Sequence, residues 1–289
     1  MRQPFNKLFT TVILLATSIV AISGKVDAQT ATCNSLSGKG KALSRELFAT
    51  MRPYDGCDKT FEKCLAPKPP KPVVLRLAED VCRHIKGGES RKQIEQALGK
   101  RAQSMLPVGK PAVIALDPAT LAGDPHAPVI AVVYACTRCP FCKVLVPALH
   151  EAVTTGTLKG KVRLYFRAFP LKDHAGSTEG GLAALTAGRL GKFWPFLLYL
   201  YKNFNSFAPR AIPDWAASVG LNKAVFEKEY AKGELRNALV ASKQEGIRNK
   251  VTATPTLFID GRKYLYEIDA NVISDVLLEE YEHRASLRK

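Results

Sequence analysis

The 289-residue chain lacks most of the signatures that reveal function directly. It has neither a phosphate-binding Gly-rich loop nor a dinucleotide-binding glycine pattern, which removes the commonest nucleotide-dependent chemistries. His84, His126, His150, His174 and His283 fall at no metal-ligand spacing, so neither a metal site nor any other cofactor is expected from them. No internal repeat is present, and no block of like charge occurs despite a net charge of +16. A solvated basic surface accounts for charge spread in this way, and no nucleic-acid partner is expected. The uncharged stretch from Leu8 to Gly24 contains several Ser and Thr and falls short of the ~20 apolar residues a spanning helix needs.

That same stretch reads as the apolar part of an export signal. Arg2 and Lys7 precede it, and Val26-Asp27-Ala28 offers small residues before a cut at Gln29. A signal peptide over 1–28 and a periplasmic or otherwise exported protein are therefore expected, with membrane contact only if the leader is retained. Composition is ordinary for a globular protein, 46% hydrophobic and 24% charged, which excludes disorder. The seven cysteines are too few for a disulfide-framed miniprotein, and none lies in the leader. Each must be explained by its position.

Residues 29–106 read as a helical unit. Leu43, Leu47, Phe48 and Met51 recur at helical spacing, a short helical run covers Phe61 to Leu65, and the proline-rich stretch 66–72 interrupts. Leu77, Val81 and Ile85 resume the pattern until Gly87-Gly88, and Ser90 with Gln93 is a capping-box signature for a further helix through Leu98. Residues 107–127 form a proline-rich linker, with an edge strand expected at Ala112 to Leu116. Beyond it the order is strand (Val129–Tyr134), helix (from Pro140, with Pro147 inside), strand (Val162–Phe169), a long helical stretch, strand (Thr256–Asp260) and closing helix (Asn271–His283). This is an α/β domain over 128–289 with an inserted helical subdomain.

The chemistry concentrates at Cys136-Thr137-Arg138-Cys139-Pro140-Phe141-Cys142-Lys143. Cys139 falls at a strand-to-helix junction, where unpaired amides and the helix dipole favour a thiolate. Pro140 suits a first helical turn, since its missing N–H would go unpaired anyway. Cys142 follows one turn later, close enough to attack a disulfide made by Cys139. Arg138 and Lys143 add positive charge expected to lower the nucleophile's pKa. Far downstream, Thr254-Pro255 precedes a buried strand, and a cis bond there would end strand pairing and expose the Thr254 backbone to a passing peptide.

These motifs, with Phe166-Arg167-Ala168-Phe169-Pro170-Leu171, Ala187-Gly188 and Gly191-Lys192-Phe193-Trp194, make the segment from about Pro128 to Arg284 resemble the DsbA-like thiol-disulfide oxidoreductases. The resemblance implies a thioredoxin fold, a nucleophilic Cys139, a resolving Cys142, a cis Pro255 facing them, and exchange with protein thiols and with a redox partner that resets the pair. Phe141 departs from the histidine that the family's strong oxidases carry. Direction of electron flow stays open: a dedicated reductase in cytochrome c maturation and a disulfide isomerase are the alternatives. The stretch from Leu77 to Leu98 is similar to the helical hairpin of CcmH-type proteins, without their Cys-x-x-Cys.

Cys136 completes a Cys-x-x-Cys-x-x-Cys run that could open a metal or Fe–S site, but no fourth cysteine follows. A buried, inert thiol is the expectation for Cys136, with an alternative resolving role open. His174 follows a strand end, from which it could reach the active-site face. Cys33, Cys57, Cys64 and Cys82 are an even set that allows three pairings, and structural disulfides are expected, a second redox relay being the functional alternative. A binding module in which the thioredoxin-like part is scaffold is the remaining non-enzymatic reading. Oligomeric state is not legible.

Overall fold

The computed structural model describes residues 31–105 and 110–287, so the expected signal peptide lies outside the described residues. The chain divides into two compact units at Glu89/Ser90.

The first unit is helical: α1 (Ala31–Ser35), α2 (Gly38–Thr50), α3 (Phe61–Leu65) and α4 (Pro72–Lys86). Pro72 opens α4, and Val74, Leu77, Val81 and Ile85 lie on its buried side. Phe61 of α3 and Leu47 of α2 are fully buried. Two disulfides hold these short elements, Cys33–Cys82 with Cα atoms 5.0 Å apart and Cys57–Cys64 at 5.9 Å.

The second unit begins with α5 (Arg91–Met105), where the Gln93 side chain accepts from the Ser90 N–H at 2.8 Å. The structure therefore corrects the 29–106 boundary: α5 belongs to the following unit. Charge pairing gives the reason. The Arg101 side chain is 1% exposed and bonds Glu279 Oε2 at 3.0 Å, on α12 (Ala270–Leu287), whose carboxylate is equally buried. The Ser104 hydroxyl also accepts from the Leu265 N–H.

Five strands make the sheet, in order β1-β3-β2-β4-β5: β1 (Leu121–Ala122), β2 (Val129–Ala135), β3 (Val162–Ala168), β4 (Thr256–Ile259) and β5 (Arg262–Lys263). β2 and β3 are parallel, Ala135 opposite Ala168, and the other pairings are antiparallel. Residues 112–116 form no strand, a second correction. Glu245 draws the Ala115 N–H aside at 2.8 Å, and Ala112 makes a single bond to the Gly261 carbonyl. Alternation sorts β2 onto two cores: Ala131, Val133 and Ala135 face the main helical layer, while Val132 and Tyr134 pack with Tyr165, Phe169 and Phe258.

Between β2 and β3 runs α6 (Cys142–Thr154), and between β3 and β4 come α7 (Ser177–Arg189), α8 (Phe193–Lys202), α9 (Ile212–Ser218), α10 (Lys223–Tyr230) and α11 (Gly233–Arg248). This is a thioredoxin fold with an inserted helical subdomain, preceded by a small helical unit. Gly176, at φ +75°, launches α7, and a Cβ there would stand 2.3 Å from the Phe207 ring, so only glycine fits. No helix among the described residues is long and apolar enough to cross a membrane.

Candidate active site

β2 ends at Ala135, and the turn Cys136–Phe141 leads into α6, which starts at Cys142, two residues later than the Pro140 expected. The Cys139 carbonyl accepts from the Lys143 N–H at 3.1 Å, so Cys139 stands where the helix begins its hydrogen-bond ladder. Its sulfur faces the loop before β4, 3.3 Å from the Thr254 carbonyl oxygen. The Thr254–Pro255 peptide is cis. The Cys139–Cys142 turn and the Thr254–Pro255 peptide, more than a hundred residues apart in the chain, are thus brought to one place.

The two thiols of the pair are pushed in opposite directions. A hydrogen bond from the Cys142 thiol, opposed by burial and helped by the Cys142 and Phe141 N–H groups, lowers Cys139 to about 5. Burial first, then the hydrogen bond given to Cys139, drives Cys142 far up. One sulfur is therefore an anion at neutral pH and its neighbour a thiol that solvates it. Burial likewise raises Cys136, which is 0% exposed.

Arg138 and Lys143, expected to add positive charge near Cys139, both lie against Phe204. The Arg138 guanidinium donates to the Phe204 carbonyl and stacks 4.2 Å from the Phe204 ring centroid, and Lys143 Nζ lies 4.6 Å from the same ring. The groups that lower Cys139 are the Cys142 thiol, the Cys142 N–H, Thr254 and the Phe141 N–H. Beside them lies a groove of about 320 Å³ lined by Lys143, Val144, Phe204 and Asn205. Phe141 and Val144 are 70% and 66% exposed, an apolar pair at the mouth of the site.

Two residues carry more than sequence reasoning assigned them. His174 Nδ1 lies 3.4 Å from the Cys136 sulfur. Glu245 is buried beneath the second sheet face, accepting from Tyr134 Oη at 2.6 Å and pairing with Arg167 at 2.9 Å. Strand pairing could have found His174: β2 and β3 end side by side, so the turns that follow them must meet. Nothing in the local pattern marks Glu245. Among the described residues no three His, Cys, Asp or Glu side chains converge to hold a metal ion.

The thioredoxin family model matches residues 117–277, more than half of the chain. The chain belongs to the thioredoxin family. Within that family its fold is shared with BdbD of Bacillus subtilis, at TM-score 0.50 and 19% identity over 60% of this chain and 100% of that one. It is likewise shared with alpha-DsbA1 of Wolbachia pipientis, at 0.52 and 19% over 61% and 98%. In sequence, the chain is similar to the Na+/H+ antiporter NhaA 1 of Salinispora arenicola, 29% identical over 182 residues that make up 59% of this chain and 27% of the relative. NhaA 1 of a Mycobacterium strain matches at 28% over 57% and 27%. The chain thus spans about a quarter of the length of these curated relatives.

Proposed function

We propose that this member of the thioredoxin family is an exported protein thiol-disulfide oxidoreductase that works through Cys139 and Cys142. The observation that carries the reading is the split pair: a sulfur lowered to about 5 beside one held protonated, under the Thr254 carbonyl. Thiolate, not thiol, attacks a disulfide. Cys139 forms the S–S bond to a substrate sulfur and expels the other substrate sulfur as thiolate. Cys142 then attacks Cys139, releasing the reduced substrate and closing the Cys139–Cys142 disulfide. Oxidation of a substrate dithiol runs the same steps backwards, and a redox partner resets the pair.

The exposed Phe141 and Val144, beside the groove at Phe204, supply a landing for an extended polypeptide. Partners are therefore proteins bearing thiols or disulfides. The two disulfides of the first unit support export, since such bonds persist in oxidising compartments. The test is covalent capture. Cys142→Ser protein mixed with a disulfide-bonded protein substrate accumulates a mixed disulfide at Cys139, and Cys139→Ser accumulates none. Equal turnover by wild type and Cys139→Ser would make the fold a scaffold for binding and end this reading.

A further inference from the structure

The chain carries a net charge of +16 with no block of like charge along it, yet the fold assembles one. A cavity of about 650 Å³ in the second unit is lined by Lys110, Arg248, Lys250, Arg262 and Lys263, with no Asp or Glu in its wall. These side chains come from stretches far apart in sequence: the segment leading to Ala112, the end of α11, and β5. The Ala112 N–H donates to the Gly261 carbonyl at 2.8 Å, which brings Lys110 to the turn between β4 and β5. Lys263 Nζ donates to the Lys250 carbonyl at 2.7 Å, which ties β5 to the end of α11. Arg262 pairs with Glu280 of α12, both largely buried. Among the described residues, no carboxylate lies within ion-pair distance of Lys110, Arg248, Lys250 or Lys263.

Like charges gathered around one cavity repel, whereas a surface that only keeps a protein soluble intersperses the two signs. The way the cluster is built sharpens the contrast. A carbonyl that accepts from Lys263 fixes the ammonium without cancelling its charge, so the cavity keeps that charge. Lys250, whose carbonyl this is, holds φ at +59°, a left-handed conformation uncommon outside glycine. The complement of such a wall is a ligand with several negative charges in a small volume. An extended acidic peptide advances ~3.3 Å per residue with at most one charge on each, and runs out of the cavity after a few. A phosphate monoester concentrates about 1.5 to 2 charges on one centre, and its oxygens take charge-assisted hydrogen bonds from guanidinium and ammonium groups.

We propose that this cavity binds a compact ligand bearing two or more phosphate groups, with Arg248, Lys250 and Lys263 gripping its oxygens and Lys110 and Arg262 adding charge. The volume falls within the ~300–1,000 Å³ of small-ligand sites. None of Cys139, Cys142, Thr254 and Pro255 lines it, so the site is separate from the candidate active site and the proposal does not rest on the thiol chemistry.

The probe is inorganic tripolyphosphate, titrated into the full-length protein at constant ionic strength and read by calorimetry and by melting temperature. Wild type should bind one tripolyphosphate and melt about 5 °C higher at a hundredfold excess over Kd. Sulfate at the same ionic strength should bind at least about tenfold more weakly. Arg248→Gln combined with Lys250→Asn removes two charges, asparagine tolerating a left-handed backbone, and should weaken tripolyphosphate binding about tenfold or more. Lys110→Gln, on an irregular segment, is a milder second variant and should weaken it about threefold. Both variants should exchange disulfides with a small test substrate at the wild-type rate, which shows that they fold. Sulfate or a hexaglutamate peptide binding as tightly as tripolyphosphate would overturn the proposal, and so would unchanged affinity in both variants. Capture of wild type by phosphatidylglycerol vesicles without any binding of tripolyphosphate would also overturn it, assigning the cations to a membrane surface instead.

Discussion

A free cysteine holds its proton at neutral pH, and Cys139 does not, because the Cys142 thiol and two helix-start amides bond its sulfur while burial only partly opposes them. The folded pKa is depressed to about 5 against an ordinary ~8.5. The resulting stabilisation of the reduced protein is fully present above the unfolded value and is lost as the pH falls through 5. The melting temperature of reduced protein relative to oxidised protein should therefore rise between pH 5 and 8, and thiolate absorbance should titrate near 5. An inflection at 8 or above would show that Cys139 is an ordinary thiol. At this scale the sequence was informative where position is local: it places the Cys-x-x-Cys at the junction of β2 and α6, where the structure has it. Nothing near Arg138 or Lys143 in the chain announces Phe204, and the sequence was silent on Glu245, whose partners Tyr134 and Arg167 lie 111 and 78 residues away.

Elements were legible to the extent that periodicity and capping speak for a segment by itself. The runs around Val129–Tyr134 and Val162–Phe169 form strands, and Ser90 with Gln93 starts a helix. Where an element packs is a different matter, and α5 shows it. Its hydrophobic pattern is compatible with either neighbour, and the deciding contact is a buried ion pair, Arg101 with Glu279, 178 residues apart. Removing one partner takes a buried opposite charge away from the other. Glu279→Leu should destabilise the second unit by about 3–5 kcal/mol, and adding Arg101→Leu should recover most of that. Denaturant melts of both variants check this, and an additive double mutant would mean that the pair is not coupled.

Across the whole molecule, the division at Glu89/Ser90 separates a disulfide-clamped helical unit from the unit that carries the candidate site. A chain beginning at Ser90 keeps α5 and should fold and exchange disulfides with a small test substrate. One beginning at 107 leaves Glu279 buried without Arg101, and should melt at lower temperature. Equal stability of the two would contradict the place given to α5. Architecture at this level was readable from the order of strands and helices, whereas the unit boundary was not, because it follows tertiary contacts and crosses no change in composition.

The most direct test of the account is the reduction potential of the Cys139–Cys142 pair, measured in glutathione buffers by thiol trapping and mass spectrometry. A sulfur at about 5 lies between the ~7 of thioredoxin and the ~3.5 of a strong oxidant, whose potentials are ~−270 and ~−120 mV. The account predicts an intermediate value, near ~−190 mV by interpolation between these two. A pair that forms no disulfide at any glutathione ratio would contradict it, and so would a potential at or below that of thioredoxin.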